Sequence, residues 1–387
     1  MKPIRKILIP ISGLDLQLPF GAMNAIWQFL KGMYEIGIEP IVVPYAGDAK
    51  NSLWWKTYPN PCSFESKIFL QFFNKFNFMS RSQRSRSEES VVPKIARAII
   101  RPKWMKSLDK ILEQEKNIDA VLFWALPLNH ITGTASYIKK RYNIPVIYYD
   151  ADLPFSMPKF GGFTFNHYPN ADLSEYDAIC GNCDGVLDDL IAMGANEAHA
   201  VHFAVDPDLF SPVQVEKQDI DILFSAWGEK DREKWIRNFI TIPSTETKYR
   251  FIVTGGGFSM DLGKARVVQF QAPPSLRYTI ARSKINLSIT RQSVTEYDGS
   301  NSRPFELGAM ECCMISNPFS ALEKWFEIGR EAFIAHDEKE VRELYDMLVD
   351  DHELRKTVGK RARQKVLRNH TFKHRAKELV TIMESFR

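Results

Sequence analysis

The chain has 387 residues, 44% of them hydrophobic and 25% charged, with a formal net charge of +4. These are ordinary globular values with apolar material for two buried cores, and two domains are the default for this length. No run approaches the roughly 18–20 apolar residues of a membrane span, and the start MKPIRKILIPISG lacks the length and cleavage site of a signal peptide, so a cytoplasmic protein is expected.

In chain order, Lys6–Ile11 reads as a strand, followed by a loop over Ser12–Phe20, a helix from about Gly21 to Ile36 and a second strand over Glu39–Pro44. Phe69, Phe72, Phe73 and Phe76 then recur at helical spacing ahead of an Arg/Ser stretch, Ser80–Ser90, that reads as a mobile loop. Residues 64–106 look like a specialised insertion, and Lys67 to Lys106 carries ten basic residues against two acids. Ala120–Trp124 and Pro145–Tyr149 are strands flanking a helix over Ile131–Tyr142, and Asp177–Cys180 and Ala200–Phe203 are strands flanking a helix over Asp184–Met193. Such alternation argues for a parallel sheet covered on both faces.

After a Pro-containing linker near Asp206–Asp219 the pattern restarts. Strands are expected over Asp221–Ser225, Tyr249–Thr254, Val267–Phe270, Ile285–Ser288, Met314–Ser316 and Ala332–Ala335, with a helix over Asp231–Phe239. Three charged helices, Glu338–Val349, Asp351–Leu367 and Lys373–Phe386, close the chain. The five cysteines argue against a disulfide framework. Cys180 and Cys183 have CxxC spacing without a second pair, so they read as small residues at a strand end, and Cys312-Cys313 as core; no metal site is expected.

Chemistry concentrates in Asp298-Gly-Ser-Asn-Ser-Arg-Pro-Phe-Glu306. Asn301 and Ser302 are good helix caps, Pro304 fits a first turn, and the helix is expected to run over Phe305–Cys312. A helix start entered through Gly299, Asn301 and Ser302 offers N–H groups to an anion, Arg303 adds a fork suited to a diphosphate, and Glu306 is placed to accept from ribose hydroxyls. An ordinary capped surface helix is the plain alternative.

The stretch Arg303-Pro-Phe-Glu306-Leu-Gly-Ala-Met-Glu-Cys-Cys-Met-Ile-Ser, then Phe326-Glu-Ile-Gly-Arg-Glu-Ala-Phe-Ile-Ala, resembles group 1 glycosyltransferases of the GT-B fold, in particular their spore-maturation-type branch. The closing segments around Gly359-Lys-Arg-Ala-Arg and Val366-Leu-Arg-Asn-His are similar to that family's, and Tyr149-Asp-Ala-Asp152 and Ala204–Pro212 match it more loosely. The resemblance implies an α/β chain of two Rossmann-like domains, with parallel sheets facing across a cleft. These would be an acceptor-side domain over 1–210, a donor domain over 211–370, and a helix over 371–387 crossing back onto the first domain.

It also implies transfer of a sugar from a nucleoside diphosphate sugar to a hydroxyl, retaining and without metal or other cofactor. Glu306 matches the second acid of the family's Glu-x7-Glu motif, whereas the first position holds the shorter Asp298. Arg232, with Lys230 or Lys234 beside it, falls where the family's basic residues follow the first strand of the donor domain, Gly255 and Gly256 end a strand near the nucleotide, and Tyr278 lies in the stretch lining the base. Asp150 and Asp152 at a strand's C-terminal end, and His167 in a Gly-rich loop, are candidates to orient the acceptor or serve as base. Ser12-Gly13 belongs to the acceptor side of the cleft, with Gly13 counted among the donor-binding residues. The basic, Phe-rich segment 67–106 suits an anionic acceptor, such as DNA with modified bases or an envelope glycan or lipid. A nucleotide-sugar 2-epimerase-like enzyme and a non-catalytic glycan- or nucleic-acid-binding module are the competing readings.

Overall fold

The computed structural model describes residues 3–14, 25–65, 67–68, 91–157, 167–269 and 271–387. The expected mobile loop Ser80–Ser90, most of the loop after the first strand, and the Gly-rich loop before His167 lie outside them. The chain divides into two compact units, one built on Phe29–His202 with the first strand and Ala376–Arg387, the other on Phe203–Arg375.

The first unit holds a seven-stranded sheet in the order β3-β2-β1-β4-β5-β6-β7, each named pair parallel. Its strands are β1 (Lys6–Gly13), β2 (Glu39–Ala46), β3 (Lys56–Thr57), β4 (Ala120–Trp124), β5 (Val146–Asp150), β6 (Ala178–Gly181) and β7 (Ala198–Ala200). Ile7, Leu8, Ile9 and Ile11 of β1 are all buried, as both faces of a covered parallel sheet require. Asp119 Oδ2 accepts from the backbone N–H groups of Arg5 (2.8 Å) and Lys6 (3.1 Å), tying the start of β1 to that of β4. At the chain's end, Glu384 accepts from the Ile4 N–H (3.1 Å) and Arg387 pairs with Asp119 (3.0 Å).

The second unit holds six parallel strands in the order β10-β9-β8-β11-β12-β13. They are β8 (Ile220–Trp227), β9 (Phe251–Gly256), β10 (Arg266–Gln269), β11 (Ser283–Ser288), β12 (Met314–Ser316) and β13 (Phe333–Ile334). Alternation splits their side chains between two cores. Leu223 and Met314 pack in one with Phe305 and Trp325, while Ile222, Phe224 and Ile315 pack in the other with Phe239 and Tyr345.

Several expected elements differ: the strand expected over Ala200–Phe203 is β7 at Ala198–Ala200, and the helix expected over Asp184–Met193 spans Leu187–Ala192. Gly133, at φ +89°, breaks the expected Ile131–Tyr142 helix into Leu128–Ile131 and Thr134–Tyr142. The expected Asp231–Phe239 helix is a graded run instead: a tight turn over Lys230–Arg232, an α turn over Glu233–Ile236, a wide π turn over Arg237–Thr241, then Ile242–Glu246. Pro243 has no N–H for the Phe239 carbonyl, and the Tyr345 hydroxyl donates to that oxygen at 2.7 Å. The two-residue edge strand β3 is too short to show periodicity in sequence. The helix around Arg303 spans Arg303–Ala309, shorter than expected.

Candidate functional site

In an open parallel sheet, ligands gather beyond the C-terminal strand ends where the strand order reverses. In the second unit that reversal falls between β8 and β11, because β8 pairs β9 on one side and β11 on the other. Arg232 bridges this point: its Nε donates to the Ile289 carbonyl just past β11 (2.9 Å), and its Nη1 to the Trp227 carbonyl ending β8 (2.7 Å). One side-chain and one backbone bond then tie the neighbouring strand ends together. Asn317, just past β12, accepts from the Thr290 N–H at 2.7 Å, and the Gly228 N–H donates to the Gly256 carbonyl at 2.7 Å.

Around Arg232 stand Arg291 and Arg303. Glu229 holds Arg232 and Arg291, each at 3.3 Å, while Arg303 Nη1 lies 2.9 Å from Glu306 Oε2. Burial, with help from the Arg291 and Arg303 charges and against the pull of Glu229 and Asp231, brings the Arg232 guanidinium down to about 10. With Arg291 and Arg303 beside it, Arg232 completes a group of three cations in a small space, a place ready to receive negative charge. Asp231 accepts from the Ser293 hydroxyl, fixing this loop against Gln292–Glu296.

Glu306 is buried, held by the short helix Arg303–Ala309 that Phe305 anchors in the core. The expected cap is refined: Ser302 makes no side-chain cap bond, and Asn301 Oδ1 accepts from the Arg303 N–H (3.0 Å) while its Nδ2 donates to Thr290 (3.0 Å). Gly299 is buried two residues before that cap and donates its N–H to the Val294 carbonyl at 2.9 Å. Asp298, in the left-handed region at φ +51°, is held by the Ser320 hydroxyl and by Lys324 at 3.1 Å. A Cβ at Gly255 would run into the Ala226 carbonyl oxygen, and Cβ atoms at Gly256 and Gly257 would each meet the Trp227 ring at 2.5 Å. The backbone of β9 thus passes directly under that half-exposed indole. Lys230 and Tyr278 are exposed, and the Arg282 guanidinium stands 5.9 Å from the Tyr278 ring centroid.

The first unit's candidates form a different environment. Its strand order reverses between β1 and β4, and Gly13 ends β1, where a Cβ would lie 3.3 Å from the Ala46 carbonyl oxygen. Asp150 is buried and accepts from the Tyr168 hydroxyl (2.6 Å), the Ser156 hydroxyl and the Asp152 N–H (2.8 Å). Burial raises its carboxyl above the ordinary value despite these bonds. Asp152 is half-buried. His167 lies 3.4 Å from the Tyr148 hydroxyl, and His130 lies 2.7 Å from the Tyr45 hydroxyl. Burial holds both imidazoles neutral, down to about 3. Cys180 and Cys183 are buried and outside any disulfide, and in the second unit burial pushes Cys312 and Cys313 up to about 12. Among the described residues, no cluster of His, Cys, Asp and Glu could hold a metal, and no helix is long and apolar enough to cross a membrane.

Arg291, Thr290, Asn317 and His130 were missed from sequence. The first three follow strand ends, a position that could have flagged them; His130 follows β4 but carries no local motif.

Residues 232–381 match a family model described as glycosyl transferase-like, which carries the expected enzyme class, a glycosyltransferase. No curated protein matches the chain in sequence. Among solved structures it is similar to the trehalose 6-phosphate synthase of Burkholderia multivorans, at 9% identity and TM-score 0.63, covering 100% of this chain and 99% of that one. Anabaena HepE in complex with UDP-glucose aligns at 10% identity and TM-score 0.58, covering 98% of this chain and 99% of that one. A glycosyltransferase from Rickettsia africae aligns at 11% identity and TM-score 0.58, covering 99% and 98%. These likenesses establish the fold, two parallel α/β sheets of the GT-B type.

Proposed function

We propose that this glycosyltransferase takes its sugar from a nucleoside diphosphate donor held at the strand ends of the second unit and passes it to an acceptor hydroxyl. The observation that carries the reading is the trio Arg232, Arg291 and Arg303 at the reversal of strand order, with buried Glu306 beside it. Arg303 and Arg232 face the diphosphate and stabilise the charge that grows on it as the glycosidic bond breaks. Because Arg232 is held by Glu229, Ile289 O and Trp227 O, and Arg303 by Glu306, before any ligand arrives, little reorganisation opposes that step. Glu306 accepts from the ribose hydroxyls, and the tight β9 turn at Gly255 and Gly256 lets backbone approach the nucleotide. Asp298 orients the donor sugar from its place beside Lys324.

Guanidinium groups, rather than a metal ion or other cofactor, neutralise the leaving diphosphate in this reading, and the anomeric configuration is retained, as the family resemblance implies. The acceptor approaches with an anionic portion recognised by the exposed lysines of the helix Val91–Gln114, Lys94 and Lys106 among them. The spore-maturation-type branch remains the sequence relationship that the motif around Arg303 supports.

The test is a thermal-shift screen against UDP, GDP, ADP and CDP and their common sugar conjugates, with Glu306→Ala alongside and EDTA as control. One nucleotide should stabilise wild type and not the variant, with EDTA changing nothing. Stabilisation by none of them would sink the donor reading. Turnover of a nucleotide sugar without any acceptor would favour epimerase-like chemistry, and the anomer of a transferred sugar, read by NMR, decides retention.

A further inference from the structure

The first unit carries an open depression, of about 540 Å³, at the N-terminal end of its sheet, beside Glu39 of β2 and Lys56 of β3. Its walls are aromatic and exposed to an unusual degree: Tyr34 is 52% exposed, Leu53 is 91% exposed, and Trp54 is half-buried. Trp54 sits 6.0 Å from the Trp55 ring centroid, with the Lys31 ammonium 5.9 Å from its own. Trp55 is buried, and its indole N–H donates to the Lys50 carbonyl at 2.8 Å, which makes the wall rigid.

The charges at this place are matched. Glu39 pairs with Lys6 at 3.2 Å and Lys56 pairs with Glu115, so the lining offers no surplus of either sign to a phosphate or an ammonium ligand. Neutral donors remain. Among the described residues the Tyr34 phenol meets no hydrogen-bond partner, and Asn51 uses only its Oδ1, accepting from the Thr57 N–H at 3.2 Å. A pocket that is aromatic, neutral and edged by amide and hydroxyl donors suits a ligand with apolar faces and many hydroxyls. Its volume falls in the usual range of small-ligand sites, roughly 300–1,000 Å³.

We propose that this depression binds a neutral sugar chain, with pyranose rings laid against Trp54 and Tyr34 and hydroxyls met by Asn51 and Glu39. Aromatic side chains provide large, stiff contact area at low entropic cost, and their polar edges tolerate a wet rim. The site anchors a glycan away from the reacting end of the sheet; only this role as an anchor rests on the sugar-transfer reading, and the binding itself does not.

The full chain is titrated, without nucleotide, with maltotriose, cellotriose and N-acetylchitotriose, by calorimetry and by tryptophan fluorescence. At least one trisaccharide should bind saturably and independently of salt. Binding should weaken about tenfold or more in Trp54→Ala and in Tyr34→Ala, whose side chain is exposed enough to leave folding intact, and persist in Glu306→Ala. The proposal is overturned if none of the three binds wild type, if both aromatic variants bind as wild type does, or if binding vanishes in Glu306→Ala. Adsorption to phosphatidylglycerol vesicles that Leu53→Ala abolishes, without any sugar binding, would reassign the surface to lipid. A chain blind to nucleotides that still binds a trisaccharide would break the donor reading and leave this one standing.

Discussion

The strand ends of the two sheets hold opposite electrostatics. In the second unit, the guanidinium groups of Arg291 and Arg303 crowd around that of Arg232, with the carboxylates of Glu229 and Glu306 among them. In the first, the polar groups are sealed: Asp150 is satisfied by two hydroxyls and an N–H, and His130 and His167 are held neutral by burial. A charged, pre-paired set is built to exchange its partners for an anionic ligand. A buried neutral set is built to keep its partners, which fits shape recognition and support of nearby loops better than ion capture.

The largest expected effect tests the second unit's backbone. Gly255→Val must adopt φ near +132° and displace the Ala226 carbonyl, which should cost about 3 kcal/mol or more and lower the melting temperature visibly. Retention of wild-type stability would show that this turn is loose. Next, Arg303→Ala should weaken nucleoside diphosphate affinity by roughly ten- to a hundredfold, as expected for a lost charge-assisted contact of about 1.5–3 kcal/mol, while leaving the uncharged nucleoside unaffected. Isothermal titration of both ligands reads the difference, and equal losses would break the contrast between the two strand ends.

Asp150→Asn sharpens it from the other side. The amide leaves Tyr168 and Ser156 with a weaker acceptor, so stability should fall by about 1–3 kcal/mol in chemical denaturation while turnover per folded molecule is kept. A folded but inactive variant would instead make Asp150 a base.

Acid should act on the same buried set. His130 and His167 are neutral in the folded unit down to about pH 3, whereas the unfolded chain takes up their protons below about 6.5. Their effect is absent above pH 7, and stability falls as pH drops from about 6.5 towards 3, by up to about 1.4 kcal/mol per pH unit for each imidazole. Denaturation midpoints at pH 7 and pH 5 check this, and His130→Asn should flatten the slope. The smallest effect is expected at Lys324→Ala, whose exposed pair with Asp298 contributes at most about 1 kcal/mol to stability. Its readout is the Michaelis constant for the donor, which moves if Asp298 orients the donor sugar.

Much of the architecture was legible because covered parallel strands are near-continuous apolar runs: Lys6–Ile11, Ala120–Trp124 and Met314–Ser316 all fall within or on observed strands. Arg303 and Glu306 were legible too, since the helix start, the proline and the acid sit within a few residues of one another. Elements set by one exception to a pattern were not: Gly133 divides an apparently continuous helix, and Pro243 forces a wide turn that Tyr345 completes from another part of the chain.

The sequence by itself determined the repeated strand–helix order, the two cores and the local motif around Arg303, because each depends on side chains a few residues apart. Only the tertiary structure decided that Arg232 meets Ile289, that Asp298 is answered by Lys324, that His130 and His167 are sealed from water, and that Tyr34 and Trp54 wall one neutral depression. Each depends on which strand lies beside which, and on how deeply a group is withdrawn from solvent, quantities that no short window of sequence contains.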